Sequence, residues 1–204
     1  MRRIVRRIFP ALLERCGGSH ERHTAAHKRE LLAPLRGRVV EVGPGTGVNL
    51  AYLDRNADWI GVEPNEHMEP YLRRRAAALG RAVEVRRGTA EALPFDRASV
   101  DAVVSTLVLC SVADPNAALA EIRRVLCPGG QFVFIEHVAA PVGSRTRAFQ
   151  HFIRPVWAYI SDGCHPDRDT PEAIASAGFA SVEIARFDLR MPIVGPHIVG
   201  RAVN

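Results

Sequence analysis

At 204 residues and 47% hydrophobic composition, the chain is long enough to bury the core of one domain without disulfides or metal. Cys16, Cys110, Cys127 and Cys164 include no C-x-x-C pair and no zinc spacing, so neither a disulfide framework nor a metal site is expected, and reduced thiols suit a cytoplasmic protein. The formal charge of +5 is modest and gathers at Arg2, Arg3, Arg6, Arg7 and at Arg73, Arg74, Arg75; without interleaved aromatics to stack bases, these read as solvated faces and not as a nucleic-acid site.

From Met1 to Leu13, arginine pairs alternate with Ile4, Val5, Ile8, Phe9, Leu12 and Leu13, a helix suited to an anionic membrane surface, to packing on the domain, or to covering an active site. No stretch is apolar for long enough to cross a bilayer, and the first residues do not read as a secretory signal. Cys16-Gly17-Gly18-Ser19 breaks the helix, and a second is expected from His20 to Leu35, ended by Pro34 and Gly37. Residues 1–36 are thus an N-terminal helical segment ahead of a domain at 37–204. Strand patterns follow at Arg38 to Val42, Asp58 to Glu63, Ala82 to Arg87, Val100 to Ser105 and Gln131 to Glu136. Helical stretches separate them near Val48 to Asp54, Glu66 to Leu79 and Asn116 to Leu126, which implies right-handed crossovers and a mostly parallel sheet. Beyond the fifth strand, Ser144 to Tyr159 is helical, Ser161 to Asp169 is loop and Pro171 to Ala177 is a short helix. Strand candidates at Ser181 to Phe187 and Ile198 to Val203 are joined too closely for a parallel pair. The expected fold is α/β: a seven-stranded, Rossmann-like, mostly parallel sheet with an antiparallel last strand and helices on both faces.

Function is most legible at Val39-Val40-Glu41-Val42-Gly43-Pro44-Gly45-Thr46-Gly47, followed by Glu63 in Ile60-Gly61-Val62-Glu63-Pro64-Asn65. An apolar β-branched run that breaks into closely spaced glycines is a buried strand turning into a helix, where a ligand can approach bare backbone. A carboxylate at the end of the next strand suits the two hydroxyls of a ribose and repels a 2′-phosphate. The spacing G-x-G-x-G departs from the dinucleotide pattern G-x-G-x-x-G, and Glu41 is a poor neighbour for a pyrophosphate but a fitting one for an ammonium group. The motif E-x-G-x-G-x-G resembles the first motif of class I S-adenosylmethionine-dependent methyltransferases.

Gly88-Thr89-Ala90-Glu91-Ala92-Leu93-Pro94-Phe95, Ser99-Val100-Asp101-Ala102-Val103-Val104-Ser105 and Leu126-Cys127-Pro128-Gly129-Gly130 resemble later motifs of the methyltransferase group that includes ubiquinone and menaquinone C-methyltransferases. Thr106-Leu107-Val108-Leu109-Cys110-Ser111-Val112, Glu136-His137-Val138-Ala139-Ala140, Asp162-Gly163-Cys164 and Pro196-His197-Ile198 are similar to the family that contains the mammalian membrane-associated thiol S-methyltransferases. The resemblance implies S-adenosyl-L-methionine as cofactor, S-adenosyl-L-homocysteine as product, and a small-molecule acceptor, with a thiol favoured. Alternatives are O- or C-methylation of a phenol or quinol, N-methylation of a lipid amine, or cofactor binding without turnover.

On that resemblance, Glu41, Gly43, Gly45 and Gly47 serve the methionine moiety and the turn, with Thr46 a further contact. Glu63 takes the ribose, and Pro64 and Asn65 lie beside the adenosine. Where the wider group has Gly-Asp, this chain has Gly88-Thr89, so adenine recognition falls to Ala90 and Glu91; Ser105, Thr106 and Leu107 lie under the donor. His137, at the carboxyl edge of the sheet with an ordinary pKa near neutrality, is the candidate catalytic base, or else it fixes its loop. Asp162 orients His137, or else caps the turn at Gly163. Cys110 is read as a packed small apolar residue and His197 as structural.

Overall fold

The computed structural model describes residues 2–204, and the side chains of all of these except Arg2, Arg3 and Cys16, so what the sequence suggests for those three side chains lies outside the described residues. The elements are α1 (Arg2–Cys16), α2 (Gly18–Leu32), β1 (Arg38–Val42), β2 (Asp58–Val62), α3 (Glu69–Ala78), β3 (Glu84–Arg86), β4 (Val100–Thr106), α4 (Pro115–Val125), β5 (Leu126–His137), α5 (Arg145–Ile160), α6 (Thr170–Ser176), β6 (Ser181–Asp188) and β7 (Pro196–Val203). The seven strands form one sheet in the order β3-β2-β1-β4-β5-β7-β6, in which only β7 runs against its neighbours. This is the sheet expected from the sequence. The first strand lies inside the sheet, with Val39, Val40, Glu41 and Val42 all buried and β2 and β4 paired to it on either side.

Side-chain alternation divides the core in two. Val40, Val42, Val103, Phe132 and Phe134 face Ala118, Leu119, Ile122 and Val125 of α4 and Ile174 of α6, while Val39, Ala102, Val104 and Val133 face Leu32 of α2 and Leu72 and Ala76 of α3. The fourth helix starts where Asp114 accepts hydrogen bonds from the backbone N–H groups of Asn116 and Ala117, with Pro115 in the first turn where its missing N–H costs nothing. Its apolar residues recur on one face and are fully buried; truncating Ile122 to alanine there costs roughly 2–5 kcal/mol.

Three features differ from expectation. The helix expected from Val48 to Asp54 is a single 3₁₀ turn over Val48–Ala51, because Asn49 turns its amide into the sheet and the chain must reach β2 at Asp58 within a few residues. The fifth strand begins at Leu126 and not Gln131: Leu126 pairs with Val100 ahead of a register shift, so Cys127 to Gly130 is an irregularity inside the strand. The glycine break shrinks to Gly17, whose N–H still bonds Leu13, so α1 and α2 nearly adjoin.

Candidate active site

The carboxyl ends of β1 to β5 lie along one edge of the sheet, and these ends with the loops that follow them carry every site residue singled out in the sequence except Asp162, which follows α5. Glu63, just past β2, is 7% exposed and fixed by two backbone donors, Gly45 N–H to Oε2 at 3.0 Å and Asn65 N–H to Oε1 at 2.8 Å. Burial raises its pKa, against which the two N–H groups favour the charged form. Each oxygen keeps a lone pair for a ribose hydroxyl. A Cβ on Gly45 would meet nothing within 4 Å, so open space lies over the turn there, whereas a Cβ on Gly43, at φ +57°, would sit 2.7 Å from Val108 Cγ2. An aimed carboxylate beside a bare turn fits the adenosine and methionine portions of S-adenosylmethionine. A cleft of about 330 Å³ lined by Arg6, Pro64, Asn65, Glu66, His67 and Arg87 adjoins it.

Glu41 lies near the end of β1, two residues before Gly43. Its carboxyl is 1% exposed on the face covered by α2 and α3, where Oε1 accepts from Asn49 Nδ2 at 2.8 Å and Oε2 from Trp59 Nε1 at 2.9 Å. Burial pushes its pKa up to about 7 despite those donors. With these two bonds it braces the strand beneath the glycine turn. Asn49 also reaches Thr106 Oγ1 at 3.0 Å, so Glu41, Asn49 and Thr106 link β1 to the end of β4. Glu91 is likewise spent on structure: its Oε1 accepts from the N–H of Ala113 at 2.8 Å and of Asp114 at 3.4 Å, clamping the loop after β3 to the entry of α4. Ala90 is buried beside it.

Ser105 is fully buried and donates to Glu136 Oε1 at 2.6 Å. Glu136 also accepts from Val108 N–H at 3.1 Å and so shapes the loop in which Leu107 stands at φ +58°, a left-handed conformation that costs a leucine about 1 kcal/mol or more. The sequence reading gave Glu136 no role, although a lone acid at the end of the run Gln131-Phe132-Val133-Phe134-Ile135 was a signal for one.

His137, last in β5 and 3% exposed, does not meet Asp162. Its Nε2 lies 3.0 Å from Cys164 Sγ, which also accepts from Trp157 Nε1 at 3.3 Å. Cys110 completes the group: one ligand-type atom each from Cys110, His137 and Cys164 lies within 4.8 Å of the others, and all three residues are buried. Burial disfavours the imidazolium, yet the Cys110 sulfur and Glu136 beside it raise the His137 pKa on balance. The neighbouring thiol lowers the Cys164 pKa, and the same contact with burial pushes Cys110 well up. His197 is structural as expected, with Nδ1 near Gly195 O at 2.8 Å and Nε2 3.3 Å from His20 Nε2.

Asp162 instead joins the roof of the cleft. It lies 3.7 Å from Arg6 Nε and accepts from Asn65 Nδ2 at 3.2 Å, and Arg6 Nη2 donates to Pro64 O at 2.6 Å. Glu14, farther along α1, accepts from Arg74 and Arg75 of α3. The first helix therefore lies across the Pro64 to Asn65 segment and against α3.

A sequence profile described as a methyltransferase domain matches residues 40–134. Thiol S-methyltransferase TMT1B of Homo sapiens is 34% identical over 98% of this chain and 88% of its own length. Demethylmenaquinone methyltransferase of Clavibacter sepedonicus is 33% identical over 74% and 69%. Among solved structures, a SAM-dependent methyltransferase from Thermotoga maritima superposes with a TM-score of 0.64 at 24% identity, covering 95% of this chain and 98% of that one, which supports the fold. Full-length likeness, strand order and an aimed Glu63 agree: the chain belongs to the family of class I S-adenosylmethionine-dependent methyltransferases that contains the thiol S-methyltransferases.

Proposed function

We propose that this enzyme methylates the sulfur of a small thiol. The observation that carries the reading is the reach of the likeness to the human thiol S-methyltransferase, which runs over 98% of the chain and so takes in the acceptor-side segments beyond β5, where the shorter methyltransferase profile stops at residue 134. S-adenosylmethionine supplies a methyl carbon already activated by its sulfonium. The chain aligns and protects the reactants: Glu63 and the Gly45 turn hold the adenosine end, Thr106 and Leu107 form the floor beneath the methyl-bearing end, and α1 closes over both. A thiol reacts as its thiolate, and His137 beside Cys110 and Cys164 favours that form where the acceptor sulfur arrives.

A panel of alkyl thiols, phenols, a menaquinol precursor and phosphatidylethanolamine, read by S-adenosylhomocysteine release and by mass of the methylated product, tests the reading. Methyl thioethers are the expected products. Turnover on a quinol or a lipid amine with none on thiols would overturn it, as would tight cofactor binding with no turnover anywhere on the panel.

An apolar acceptor is favoured by the surface around the roof. Ile4, Ile8 and Leu12 of α1 and Phe149, Phe152 and Val156 of α5 are all exposed, on two helices that touch. Among the described residues no helix is long and apolar enough to cross a membrane, so association would be lateral, through these faces and the arginines of α1. Ile8→Glu combined with Phe152→Glu is expected to abolish co-sedimentation with anionic vesicles; unchanged sedimentation would remove the membrane role.

A further inference from the structure

We propose that Cys110, His137 and Cys164 form a binding site for a soft divalent cation, zinc being the natural occupant, with the fourth position left open for the acceptor's sulfur. The metal site stands on its own geometry; only its fourth ligand rests on the thiol reading above.

The three side chains come from three separate connections at the carboxyl edge: the loop after β4, the last residue of β5 and the loop after α5. They lie far apart in sequence, yet Sγ, Nε2 and Sγ gather within 4.8 Å. A tetrahedral zinc with bonds of about 2.3 Å to sulfur and 2.0 Å to nitrogen separates its ligands by about 3.8 Å between sulfurs and 3.6 Å between sulfur and nitrogen. The His137 to Cys164 distance of 3.0 Å has to open by about half an ångström, and both distances to the Cys110 sulfur, within 4.8 Å, have to settle by about an ångström or less. The donor set is soft, which suits zinc over magnesium or calcium, and two thiolates with a neutral imidazole balance a divalent charge in a site where all three residues are buried. Three protein ligands are also the number found where zinc keeps a position for substrate.

The surroundings hold the two cysteines in place, while the buried His137 Nδ1 has no hydrogen-bond partner. An indole N–H only donates, so the bond from Trp157 Nε1 presents Cys164 sulfur as an acceptor, the outer contact expected of a coordinated thiolate. His165 N–H donates to Cys110 O at 2.8 Å, tying the loop of one cysteine to that of the other. Arg168 Nη1 donates to Leu109 O at 2.8 Å and Val112 O at 2.7 Å, bracing the Cys110 loop from both sides.

With the metal present, the acceptor thiol binds as a thiolate and its proton passes to solvent. His137 then favours the thiolate as a ligand, without taking the proton itself. A sulfur lone pair of the acceptor forms the new bond to the methyl carbon as the donor's S–CH₃ bond breaks, and that bond's electron pair stays on the donor sulfur, leaving neutral S-adenosylhomocysteine. The product thioether carries no charge, binds the metal more weakly than the thiolate did, and leaves.

The test uses the full chain, reduced and stripped with a chelator, then titrated with Co²⁺ alone. One equivalent is expected to give tetrahedral ligand-field bands and a thiolate-to-cobalt absorption, lost on adding Zn²⁺. Cys110→Ser and Cys164→Ser each lose about half of that absorption, and His137→Ala weakens binding at least about tenfold. Trp157→Phe, which keeps all three ligands, shifts the band and preserves the stoichiometry, so the site stays testable where a ligand variant fails to fold. Added 2-mercaptoethanol raises the absorption by about half as a third sulfur enters. The metal site is overturned when natively folded, reduced protein binds neither Co²⁺ nor Zn²⁺ stoichiometrically, or when binding survives in the Cys110→Ser, Cys164→Ser double variant. Full-rate thiol methylation by metal-free protein removes the metal's role and leaves the acceptor reading; cobalt binding with no thiol methylated removes the acceptor reading and leaves the metal site.

Discussion

The proposed donor side and the proposed acceptor side of this enzyme share one sheet edge but are assembled over different distances along the chain. Gly45 and Glu63 are 18 residues apart, one strand-turn-strand step, and meet through a 3.0 Å hydrogen bond. On the acceptor side, His137 and Cys164 are 27 residues apart and Cys110 comes from a third connection, so their meeting depends on β4, β5 and α5 all being in place. Spacing in sequence measures spacing in space only where the intervening chain is one regular unit. The donor side satisfies that condition and the acceptor side does not.

The largest effect that separates the two sides is expected from Glu63→Ala. Losing two charge-assisted hydrogen bonds to the ribose costs roughly 3 kcal/mol, more than a hundredfold in the dissociation constant for S-adenosylmethionine by calorimetry, with cobalt binding unchanged. Unchanged cofactor affinity would break the ribose assignment.

Next comes a pH effect confined to the donor side. Glu41 has its folded pKa raised to about 7 from 4.5, so the folded state holds the proton more tightly than the unfolded one. The stability linked to this group is therefore fully present below about pH 4.5 and is lost as pH rises towards 7 and beyond, by on the order of 2–3 kcal/mol. Urea denaturation of the wild type from pH 5 to 8 reads the slope, and Glu41→Gln is expected to flatten it; an equal slope in that variant rules out Glu41 as its source.

Glu136→Ala should damage both sides together. Ser105 and Val108 lose their acceptor, the loop carrying Leu107 and Cys110 loosens, and unfolding free energy falls by about 1–3 kcal/mol. Cofactor affinity and thiol turnover should drop in parallel, and a drop in only one would show that this carboxylate does not join them. The smallest effect is expected from Arg6→Ala. Its side chain is 40% exposed and its pair with Asp162 is long, so loosening the roof should raise the cofactor dissociation rate no more than about threefold in stopped-flow measurement.

Much of the fold was legible because its signals are local. The β-branched run Val39 to Val42 has the pattern of a strand buried on both faces, and the short link between β6 and β7 left only an antiparallel pairing. The 3₁₀ turn after Gly47 was not legible, because it is set by Asn49 reaching Glu41 and Thr106, neither of them a local partner. The same reason explains the displaced roles. The positions of Glu41, Ser105 and Asp162 followed from pattern, but which way each side chain bonds was decided by Trp59, Glu136 and Arg6 arriving from elsewhere. For Cys110 and Cys164 a rule based on sequence spacing had nothing to detect, since no short interval separates them.

By itself, then, the sequence determined the seven-stranded, mostly parallel sheet with its antiparallel end, the glycine turn and the carboxylate after the second strand, because each follows from hydrophobic periodicity or from backbone conformation over a few residues. Only the tertiary structure decided that α1 roofs the cleft, that Glu41 is a buried brace, and that two scattered cysteines and a histidine share one buried point. Those outcomes depend on which surfaces pack together, and packing is settled by the whole chain at once.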